Sequence, residues 1–595
     1  MQPIQKHPFA RPSEERVVDV FLRYLKAEGA RVVFGIPGGL LHPFFEAIET
    51  DPDMRMVVSR HEEGAAFMAD GYARVGRRLA VCAGTSGPGA TNLLTGVAVS
   101  YADGVPLLVV TGQAASSALG KGAAQETNRE DIDVVDMFSR VTKYSAMVMS
   151  PASLPHHLRR ALRAALTGRP GPVHLNIPVD FWETPLEEDW FEPLSYRPQT
   201  LTFDRATVQR AAKALLEATH PVILAGAGVG IANAEEHLSS LAEMLPARVA
   251  TTPRGKGLFP EDHPLSLGVF GFAGHQQARQ TIFGDQVDVL FTIGASLNET
   301  TTFNWNPALR PRKALVQLDI DSSRIGRNYP VDIPLVGDAQ TILLELLYHV
   351  HRELREGTTP GSSWDKTATI DHGNSRFTEP ELRISDQMPL TPQRWRCDLE
   401  EALPSDAIVF SDIGGHMLFN VQDLCIRRGQ RFVLNLGFGS MGHGTVAPIG
   451  AALALPERPI FAIVGDACFT MNGMEVITAA EENIPVIWIV ENNYMHGIIW
   501  HGSKLVGNRN PLNSIRNKKK LHIAKIAQAM GLHAEVVDKP GQIQNAVRNA
   551  LRHGGPAVIE VIVDESISPP LGDRARSISG FVERKIHPAD IVQCR

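Results

Sequence analysis

Short apolar segments alternate with segments of helical spacing along most of the chain. Apolar runs bounded by Gly, Asn or Asp are typical of buried strands. The first part of the chain has four such runs, at residues 31–37, 79–84, 105–113 and 173–180. Segments of helical spacing, such as 42–50, lie between them. This alternation predicts a doubly wound α/β domain with a mostly parallel sheet.

Two further blocks repeat the same pattern. Their strand-like runs lie at 221–230, 247–257, 287–296 and 313–321, and at 407–416, 431–444, 459–469, 485–493 and 556–565. A polar stretch rich in Gly, Thr and Ser separates the two blocks and is typical of a linker. We therefore predict three sequential doubly wound α/β domains, with these boundaries: 14–190, 200–350, a linker at 351–388, 389–570, and a C-terminal tail or lid at 571–595.

Composition excludes several classes of protein. The 595 residues include 58 Lys and Arg against 65 Asp and Glu, a formal net charge of −7, with no long block of like charge. Nucleic acid and membrane surfaces are therefore not expected partners. The five cysteines form no CxxC pair, which favours a reducing compartment over a disulfide framework or zinc site. With no apolar N-terminal segment and no membrane-spanning run, the chain is expected to be cytoplasmic.

Polar side chains end two apolar strands between residues 464 and 494. Asp466 follows the first strand, and Asn493 ends the second, 493 − 466 = 27 positions later. Ligands of open α/β sheets bind at the carboxyl ends of strands, and carboxylate and amide oxygens suit Mg²⁺. The backbone N–H groups of Ala467 and Cys468 would meet a phosphate. Each piece alone is more often a helix cap or a turn, but the combination predicts a metal–diphosphate site.

This stretch resembles the diphosphate-binding motif of thiamine-diphosphate (ThDP) enzymes, which opens with Gly-Asp-Gly and closes with Asn-Asn. Ala467 stands where the motif has its second Gly, a position that contributes backbone. The resemblance implies thiamine diphosphate and Mg²⁺ as cofactors. It also implies that Asp466, the side chain of Asn493 and the backbone carbonyl of Met495 are the metal ligands.

A second segment, 60–74, resembles the part of these enzymes that carries the activating glutamate. Glu62 matches that residue, whereas Glu63 is expected to be a surface charge. The chemistry needs a carboxyl that shares a proton with N1′ of the aminopyrimidine, so that the 4′-imino group can take the thiazolium C2 proton. A carboxyl with this task should be buried.

Two glycine-rich segments of the third block also resemble this family. The segment 437–454 resembles the part that bends the cofactor, with Met441 as the apolar wedge and the Gly439 carbonyl as acceptor for the 4′-amino group. The glycines on both sides of Met441 argue against a plain core methionine. The sequence 412–416 resembles the second diphosphate loop, which implies Gly415 and His416 as contacts.

Three more segments, at 33–39, 84–92 and 255–268, resemble the acetolactate-synthase branch, the acetohydroxyacid synthase large subunits. The resemblance covers residues from about 14 to about 565. It implies a pyrimidine-binding, a central and a diphosphate-binding domain, in that order. It also implies a homodimer or dimer of dimers, because the family's glutamate and diphosphate sites meet across a subunit interface. No regulatory subunit is indicated.

The chain departs from this branch at substrate and flavin positions. The family's Phe-Gln-Glu reads Ala124-Gln125-Glu126 here, which reshapes the predicted substrate pocket beside Gln125. The family segment with an Arg near flavin and acceptor reads GASLNETTTFNWN at 294–306, without Arg. FAD binding is therefore left open. The family's acceptor-selecting Trp aligns with Gly502, so His496 and Trp500 belong to a different acceptor wall.

We expect a carboligase that decarboxylates a 2-keto acid, first of all pyruvate, and transfers the enamine or acyl unit to an acceptor. A non-ligating decarboxylase, with His496 or His501 as a proton relay, is an alternative, as is acyl transfer to an acceptor that is not a keto acid. A non-catalytic ThDP- or nucleotide-binding regulator is a further alternative, but the presence of the activating residue Glu62 argues against it. A Rossmann dehydrogenase would rest on GAGVG at 226–230, which lacks the full phosphate-binding pattern.

Overall fold

The computed structural model of the chain describes residues 15–187, 190–197, 202–364, 376–505, 510 and 512–573. The chain divides into two compact units, residues 1–200 and 201–595. The first unit contains one six-stranded sheet and the second contains two. Every pair of neighbouring strands in these sheets is parallel. The predicted α/β class with mostly parallel sheets is therefore confirmed.

The strands are numbered in chain order. The first sheet has the order β2-β1-β3-β4-β6-β5, the second β12-β11-β10-β7-β8-β9 and the third β14-β13-β15-β16-β18-β17. The strands are β1 Val32–Ile36, β2 Arg55–Val58, β3 Ala80–Gly84, β4 Leu107–Gln113, β5 Ser145–Met147, β6 Val173–Pro178, β7 Pro221–Ala225, β8 Arg248–Thr251, β9 Ser266–Val269, β10 Val289–Ile293, β11 Ala314–Asp319, β12 Ile333–Val336, β13 Ile408–Ser411, β14 Arg431–Leu434, β15 Ile460–Gly465, β16 Val486–Asn492, β17 His533–Val537 and β18 Ala557–Ile562.

The helices connect these strands. In the first unit they are α1 Val17–Ala27, α2 His42–Thr50, α3 Glu62–Gly76, α4 Pro88–Asn92, α5 Leu94–Asp103, α6 Val134–Ser139, α7 Leu154–Leu166 and α8 Pro193–Tyr196. In the second unit they are α9 Arg205–Leu216, α10 Ala227–Ile231, α11 Glu235–Met244, α12 Gln276–Ile282, α13 Glu299–Thr302, α14 Ala339–Arg355, α15 Pro392–Ala402, α16 Gly415–Asp423, α17 His443–Ala454, α18 Asp466–Asn472, α19 Val476–Glu481, α20 Gly497–Leu505, α21 Ile523–Ala529 and α22 Gln542–His553.

Helices cover both faces of the sheets, because the central strands carry apolar side chains on both sides. Strand β7 shows this clearly: Ile223 and Ala225 pack into one core cluster, while Val222 and Leu224 pack into another. Within the described parts of the chain, none of the helices combines the length and hydropathy needed to cross a membrane.

The carboxyl ends of the strands place the predicted site residues together. Strands β15 and β16 are direct neighbours, with Gly465 paired with Glu491. Strand β13 lies on the other side of β15. The loops that follow these three strands therefore start at one edge of the third sheet. In the first sheet, β3 and β4 are neighbours in the same way, with Gly84 paired with Thr111.

The predicted domain boundaries stay predictions. In the predicted linker at 351–388, helix α14 continues to Arg355 and a short 3₁₀ helix spans Pro380–Ile384. Residues 365–375 of that linker lie outside the described residues, as do 574–595 of the predicted tail or lid.

Candidate active site

Asp466 is the first residue of α18 and is buried at the end of β15. Burial raises the pKa of this carboxyl to about 7, because a charged group loses its hydration there. The Asn517 side-chain amide donates to Oδ2 at 3.2 Å. A buried carboxylate is costly unless a positive charge pairs with it. This carboxylate is therefore suited to bind a cation.

Asn493 and Met495 follow the neighbouring strand. The Asn493 Oδ1 atom accepts a hydrogen bond from Met495 N at 3.2 Å, and the Met495 carbonyl accepts one from Gly497 N at 2.9 Å. Both oxygens have a second lone pair available. Among the described residues, no three His, Cys, Asp or Glu side chains gather into a possible metal site. A Mg²⁺ ion at Asp466 would therefore need such amide and carbonyl oxygens as further ligands.

His416, at the start of α16, faces the loop that carries Asp466. A Cβ on Gly465 would lie 2.9 Å from His416 Nδ1, and one on Gly414 would also lie 2.9 Å from it. The imidazole is buried, which lowers its pKa to about 3 and keeps it neutral. Its Nε2 atom has no hydrogen-bond partner among the described residues. Gly415 lies beside it, close to the backbone of Ile498.

Asp412 joins the loop after β13 to the glycine-rich segment before α17. Its carboxylate accepts from Ile413 N at 2.8 Å, Gly442 N at 3.0 Å and Thr445 N at 2.9 Å, and from the Thr445 hydroxyl at 2.8 Å. Met441 precedes Gly442 directly and is half-buried. The predicted diphosphate loop and the predicted wedge are thus held together by one buried carboxylate.

Two further contacts complete this group of loops. The Cys468 thiol lies 3.1 Å from the Ile413 carbonyl, and burial raises the pKa of that thiol well above its usual value. A Cβ on Gly442 would lie 2.0 Å from the Asn472 side chain at the end of α18. Around Gly439, by contrast, a Cβ would meet nothing within 4 Å. The predicted cofactor residues of the second unit therefore lie on loops at one edge of the third sheet, with open space at Gly439.

Glu62 lies in the first unit, as the first residue of α3. Asn92 Nδ2, at the end of α4, donates to Glu62 Oε2 at 3.0 Å. A Cβ on Gly89 would lie 3.4 Å from Oε1. Glu62 is half-buried, where we expected a buried carboxyl, because it lies in the exposed first turn of α3, whose later residues are mostly buried.

Gln125 lies on the other side of the same glycine-rich turn. A Cβ on Gly87 would lie 3.5 Å from Gln125 Cβ. Gln125 has a left-handed backbone, with φ of 59°, and its carbonyl accepts from the Ser86 hydroxyl at 2.6 Å. The buried Gln113 amide, at the end of β4, donates to the Thr127 carbonyl at 2.6 Å. Glu62 and Gln125 thus flank one turn, although they are 63 positions apart (125 − 62).

The predicted acceptor wall lies on α20 and its N-terminal turn. His496 is exposed, while Trp500 is half-buried, with the Arg516 guanidinium 4.9 Å from its ring centre. His501 is buried, which lowers its pKa, and its Nε2 lies 3.1 Å from the Glu565 carbonyl. A Cβ on Gly502 would meet nothing within 4 Å. Residues 506–509 and 511, next along the chain, lie outside the described residues.

The segment 294–306, which lacks the family's arginine, is filled by aromatic packing. Phe303 lies 5.2 Å from Phe270 and 5.5 Å from Phe283, between ring centres. The Arg279 guanidinium from α12 lies 4.7 Å from the Phe303 ring and pairs with Asp573 at 2.9 Å. The arginine that contacts Phe303 therefore comes from another element and already has a carboxylate partner.

The glycine turn at 226–230 uses its backbone N–H groups for hydrogen bonds within the protein. Gly226 N donates to the Ile293 carbonyl at 2.8 Å, and Gly228 N donates to the Gly294 carbonyl at 3.1 Å. Backbone N–H groups of such a turn are the ones that would bind a pyrophosphate. Since both are engaged, the geometry does not favour the dehydrogenase alternative.

Asn92, Asp412 and Ser86 are functional candidates that the sequence alone did not identify. Each acts on a residue at least 30 positions away, such as Glu62 for Asn92 and Gly442 for Asp412. Asn92 and Ser86 lie in the segment 84–92, which was noted only for its resemblance. The polar residues within that glycine-rich segment could have indicated Asn92 and Ser86 as candidates.

Comparison with known proteins agrees with this geometry. Residues 15–133 match the thiamine pyrophosphate enzyme N-terminal TPP binding domain, 208–346 the central domain and 412–561 the C-terminal TPP binding domain. A probable acetolactate synthase large subunit of Methanocaldococcus jannaschii is 33% identical over 580 residues, which is 95% of each chain. The chain belongs to the acetolactate-synthase-like branch of the thiamine-diphosphate enzymes.

Other members of this branch are similarly related to the chain. The acetolactate synthase large subunit of Corynebacterium glutamicum is 33% identical over 93% of this chain and 88% of its own length. The acetolactate synthase isozyme 2 large subunit of Escherichia coli is 29% identical over 91% of this chain and 94% of its own. The resemblance to the acetolactate-synthase-like branch and the prediction of a ThDP-dependent enzyme are confirmed.

The residues of this ThDP enzyme fit the diphosphate and its metal ion. The Nε2 atom of His416 has no partner among the described residues, and it can donate to a phosphate oxygen in the tautomer that carries the proton on Nε2. The buried Asp466 carboxylate would be stabilised by a cation. Both groups lie at the carboxyl edge of the third sheet, where β13, β15 and β16 end. An anion that carries a divalent cation would satisfy both.

Proposed function

We propose that this protein catalyses the ThDP- and Mg²⁺-dependent decarboxylation of a 2-keto acid, most simply pyruvate, and transfers the remaining unit to an acceptor, as an acetolactate-synthase-like carboligase. The observation that carries the proposal is the grouping of Asp466, Asn493 and His416 at one sheet edge. The names of the relatives support the same reaction, since they are acetolactate synthases.

The second unit would hold the cofactor by its diphosphate. Asp466, Asn493 and the Met495 carbonyl would bind Mg²⁺, and His416 would donate to a phosphate oxygen. The Gly439 carbonyl and the Met441 side chain would contact the ring system, with the open space at Gly439 allowing close approach. Bound thiamine diphosphate supplies a nucleophilic carbon and an electron sink for the loss of CO₂.

Glu62 would exchange a proton with N1′ of the aminopyrimidine. The hydrogen bond from Asn92 to Oε2 fixes the carboxyl and leaves Oε1 for that proton. Gln125 would contact the keto acid from the other side of the turn, and Trp500 and His496 would border the acceptor. A second copy of the chain would cover the half-buried Glu62, so we propose a homodimer or dimer of dimers, in the cytoplasm.

Simple decarboxylation is the alternative product outcome. It needs a group that protonates the carbon left after CO₂ loss. The buried His501 is a weak candidate, because its Nε2 is engaged with the Glu565 carbonyl. Acyl transfer to an acceptor without a carboxylate is favoured more by the segment 294–306, which holds no arginine for a second keto acid. The same segment leaves FAD outside the proposal.

The test is CO₂ release from pyruvate by the full-length protein with ThDP and Mg²⁺, without added FAD, followed by product analysis. Acetolactate would support the carboligase, and acetaldehyde would identify a decarboxylase. Glu62→Gln should abolish the activity while ThDP binding remains. Unchanged activity in that variant, or the lack of ThDP binding by the wild type, would refute the proposal.

A further inference from the structure

Side chains from distant parts of the second unit hold the C-terminal end of α16. Lys256 Nζ donates to the Val421 carbonyl at 3.2 Å, His275 Nε2 donates to the Gln422 carbonyl at 3.0 Å, and the Arg383 guanidinium donates to the Asp423 carbonyl. The last carbonyls of a helix have no partner within the helix itself. We name Lys256, His275 and Arg383 the α16 clamp.

Each member of the α16 clamp is itself fixed. His275 Nδ1 accepts from Val269 N at 2.9 Å, so in the neutral ring Nε2 carries the proton and donates to the Gln422 carbonyl; Arg376 Nε lies 3.2 Å from the same Nε2 atom. Lys256 lies 2.8 Å from Glu261 Oε1, and both side chains are buried. Arg383 pairs with Glu400 at 3.1 Å. Buried pairs of this kind keep one geometry, because leaving either charge unpaired is costly.

The chain that follows α16 is fixed by the same carboxylates. Ile426 N donates to Glu261 Oε2 at 2.8 Å, and Cys425 N donates to Glu400 Oε1 at 2.7 Å. Gly257, next to Lys256, has φ of +81°, and a Cβ there would lie 2.7 Å from the Ile426 side chain. The segment with Lys256 therefore touches the chain after α16 with no room to shift.

The other end of α16 carries Gly415 and His416, the predicted diphosphate contacts. Arg396, which is buried, donates to the His416 carbonyl at 3.0 Å. Positive groups at a helix C-terminus and an anion at its N-terminus both match the helix dipole. A nine-residue helix moves as a rigid body, so a displaced C-terminal end displaces His416.

We propose that Lys256, His275 and Arg383 are positioning residues for the diphosphate: they fix the C-terminal end of α16 and thereby hold Gly415 and His416 in place. This inference rests on the proposed function. Lys256 and His275 belong to the region that matches the central domain. The central domain therefore contributes to cofactor binding without touching the cofactor.

Equilibrium binding of ThDP in the presence of Mg²⁺ to the full chain tests the α16 clamp. In His275→Leu the Gln422 carbonyl loses its donor, so the Kd for ThDP should rise by about tenfold. His275→Gln keeps an N–H donor and should stay within about twofold of the wild type. In both variants kcat at saturating ThDP and the KM for pyruvate should change little, which separates positioning from catalysis.

Asp288→Asn is the matched control in the same domain. Its buried carboxylate bonds to Thr219, His220 and Lys313, away from α16, so ThDP affinity should not change. Lys256→Met is the second test, with the same expected loss as His275→Leu. If it does not fold, the two His275 variants decide.

Wild-type ThDP affinity in a folded His275→Leu protein would overturn the inference, as would an equal loss in Asp288→Asn. Failure of the wild type to bind ThDP is a different result, which refutes the proposed function itself.

Discussion

At the scale of the residue, Asn92 decides how the Glu62 carboxyl is oriented. The bond from Asn92 Nδ2 to Glu62 Oε2 is 3.0 Å long, and it spans 30 positions of the chain. Asn92→Ala should lower kcat by roughly tenfold, because a freely rotating carboxyl is less often in position to transfer a proton. ThDP affinity should stay within about twofold.

The neighbouring Thr91→Ala is the control for Asn92→Ala. The Thr91 hydroxyl donates within the same helix, to the Pro88 carbonyl at 3.3 Å. Steady-state kinetics at saturating ThDP measure the difference. Equal rates for the two variants would show that Asn92 does not position Glu62.

Ser86 has a similar relation to Gln125. A left-handed backbone at a non-glycine residue is strained by about 1 kcal/mol or more, and the Ser86 hydroxyl is one of the groups that hold it. Ser86→Ala should lower kcat/KM for pyruvate by roughly tenfold with ThDP affinity unchanged.

Ser145→Ala is the matched control for Ser86→Ala, because the Ser145 hydroxyl also donates to a backbone carbonyl, that of Val135, at 2.8 Å. Both variants lose a hydroxyl with a second partner in the same unit, Thr127 Oγ1 at 3.4 Å for Ser86 and His174 Nδ1 at 2.8 Å for Ser145. If Ser145→Ala lowers kcat/KM as much as Ser86→Ala does, the effect is one of general destabilisation. The ratio of the two kcat/KM values is therefore the quantity to measure.

Asp423 makes stability depend on pH. Burial raises the pKa of its carboxyl to about 7, although Arg383 and Arg396 act in the opposite direction. The folded chain therefore keeps a proton that the unfolded chain loses at about pH 4. This contribution to stability is complete below about pH 4 and is lost as the pH rises through about 7.

Asp423→Asn should remove that dependence. Its melting temperature, relative to the wild type, should increase by a few degrees between pH 5 and pH 8, measured without cofactor. Asp406→Asn, at an exposed position, is the control and should follow the wild type. A constant difference between Asp423→Asn and the wild type across this pH range would contradict the assignment.

At the scale of the element, the carboxyl ends of β13 and β15 bring two loops into contact at His416 and Gly465. Gly465→Ala would place a methyl group 2.9 Å from the His416 ring, closer than van der Waals contact allows. The buried ring must then move, and the Kd for ThDP should rise by roughly tenfold or more. Gly502→Ala, which points into open space, should leave the Kd unchanged. Titration with ThDP at fixed Mg²⁺ distinguishes the two.

The sequence predicted the interior of each sheet better than its edges. Strands β2, β5, β9, β12 and β17 were not predicted, and every one of them is an edge strand. Strand β2 has one buried residue among its four, and β5 has none, so neither shows a continuous apolar run. Strand β9 is interrupted by Gly268, with φ of +77°. Edge strands lack the apolar pattern because only one neighbour and often one face cover them.

The candidate site also has a part that the sequence predicted and a part that it did not. Asp466 and Asn493 follow long buried strands, so their proximity follows from parallel neighbours ending at one edge. Asn92 and Asp412 instead act through side-chain hydrogen bonds to residues 30 or more positions away. No local pattern encodes such a bond, since it depends on the order of the strands and on loop conformation.

At the scale of the whole molecule, Glu62 belongs to one compact unit and Asp466 to the other. Within our proposal of a homodimer, each site combines Glu62 of one copy with Asp466 of the second copy. This arrangement makes a strong prediction for mixed dimers. A symmetric dimer has two equivalent sites. In a dimer of one Glu62→Gln chain and one Asp466→Ala chain, one site carries both changes and the other site carries neither.

Each variant alone should therefore be inactive, whereas co-expression of the two should restore activity. A mixed dimer has one intact site of two, so the purified mixed dimers should work at about half of the wild-type rate. CO₂ release from the keto acid measures it, after purification through a different affinity tag on each chain. Co-expression of Glu62→Gln with Glu62→Gln,Asp466→Ala chains is the control and should stay inactive, because no site in that mixture is intact. If the mixed Glu62→Gln and Asp466→Ala dimers are also inactive while both chains still bind each other, each site must use Glu62 and Asp466 of the same chain.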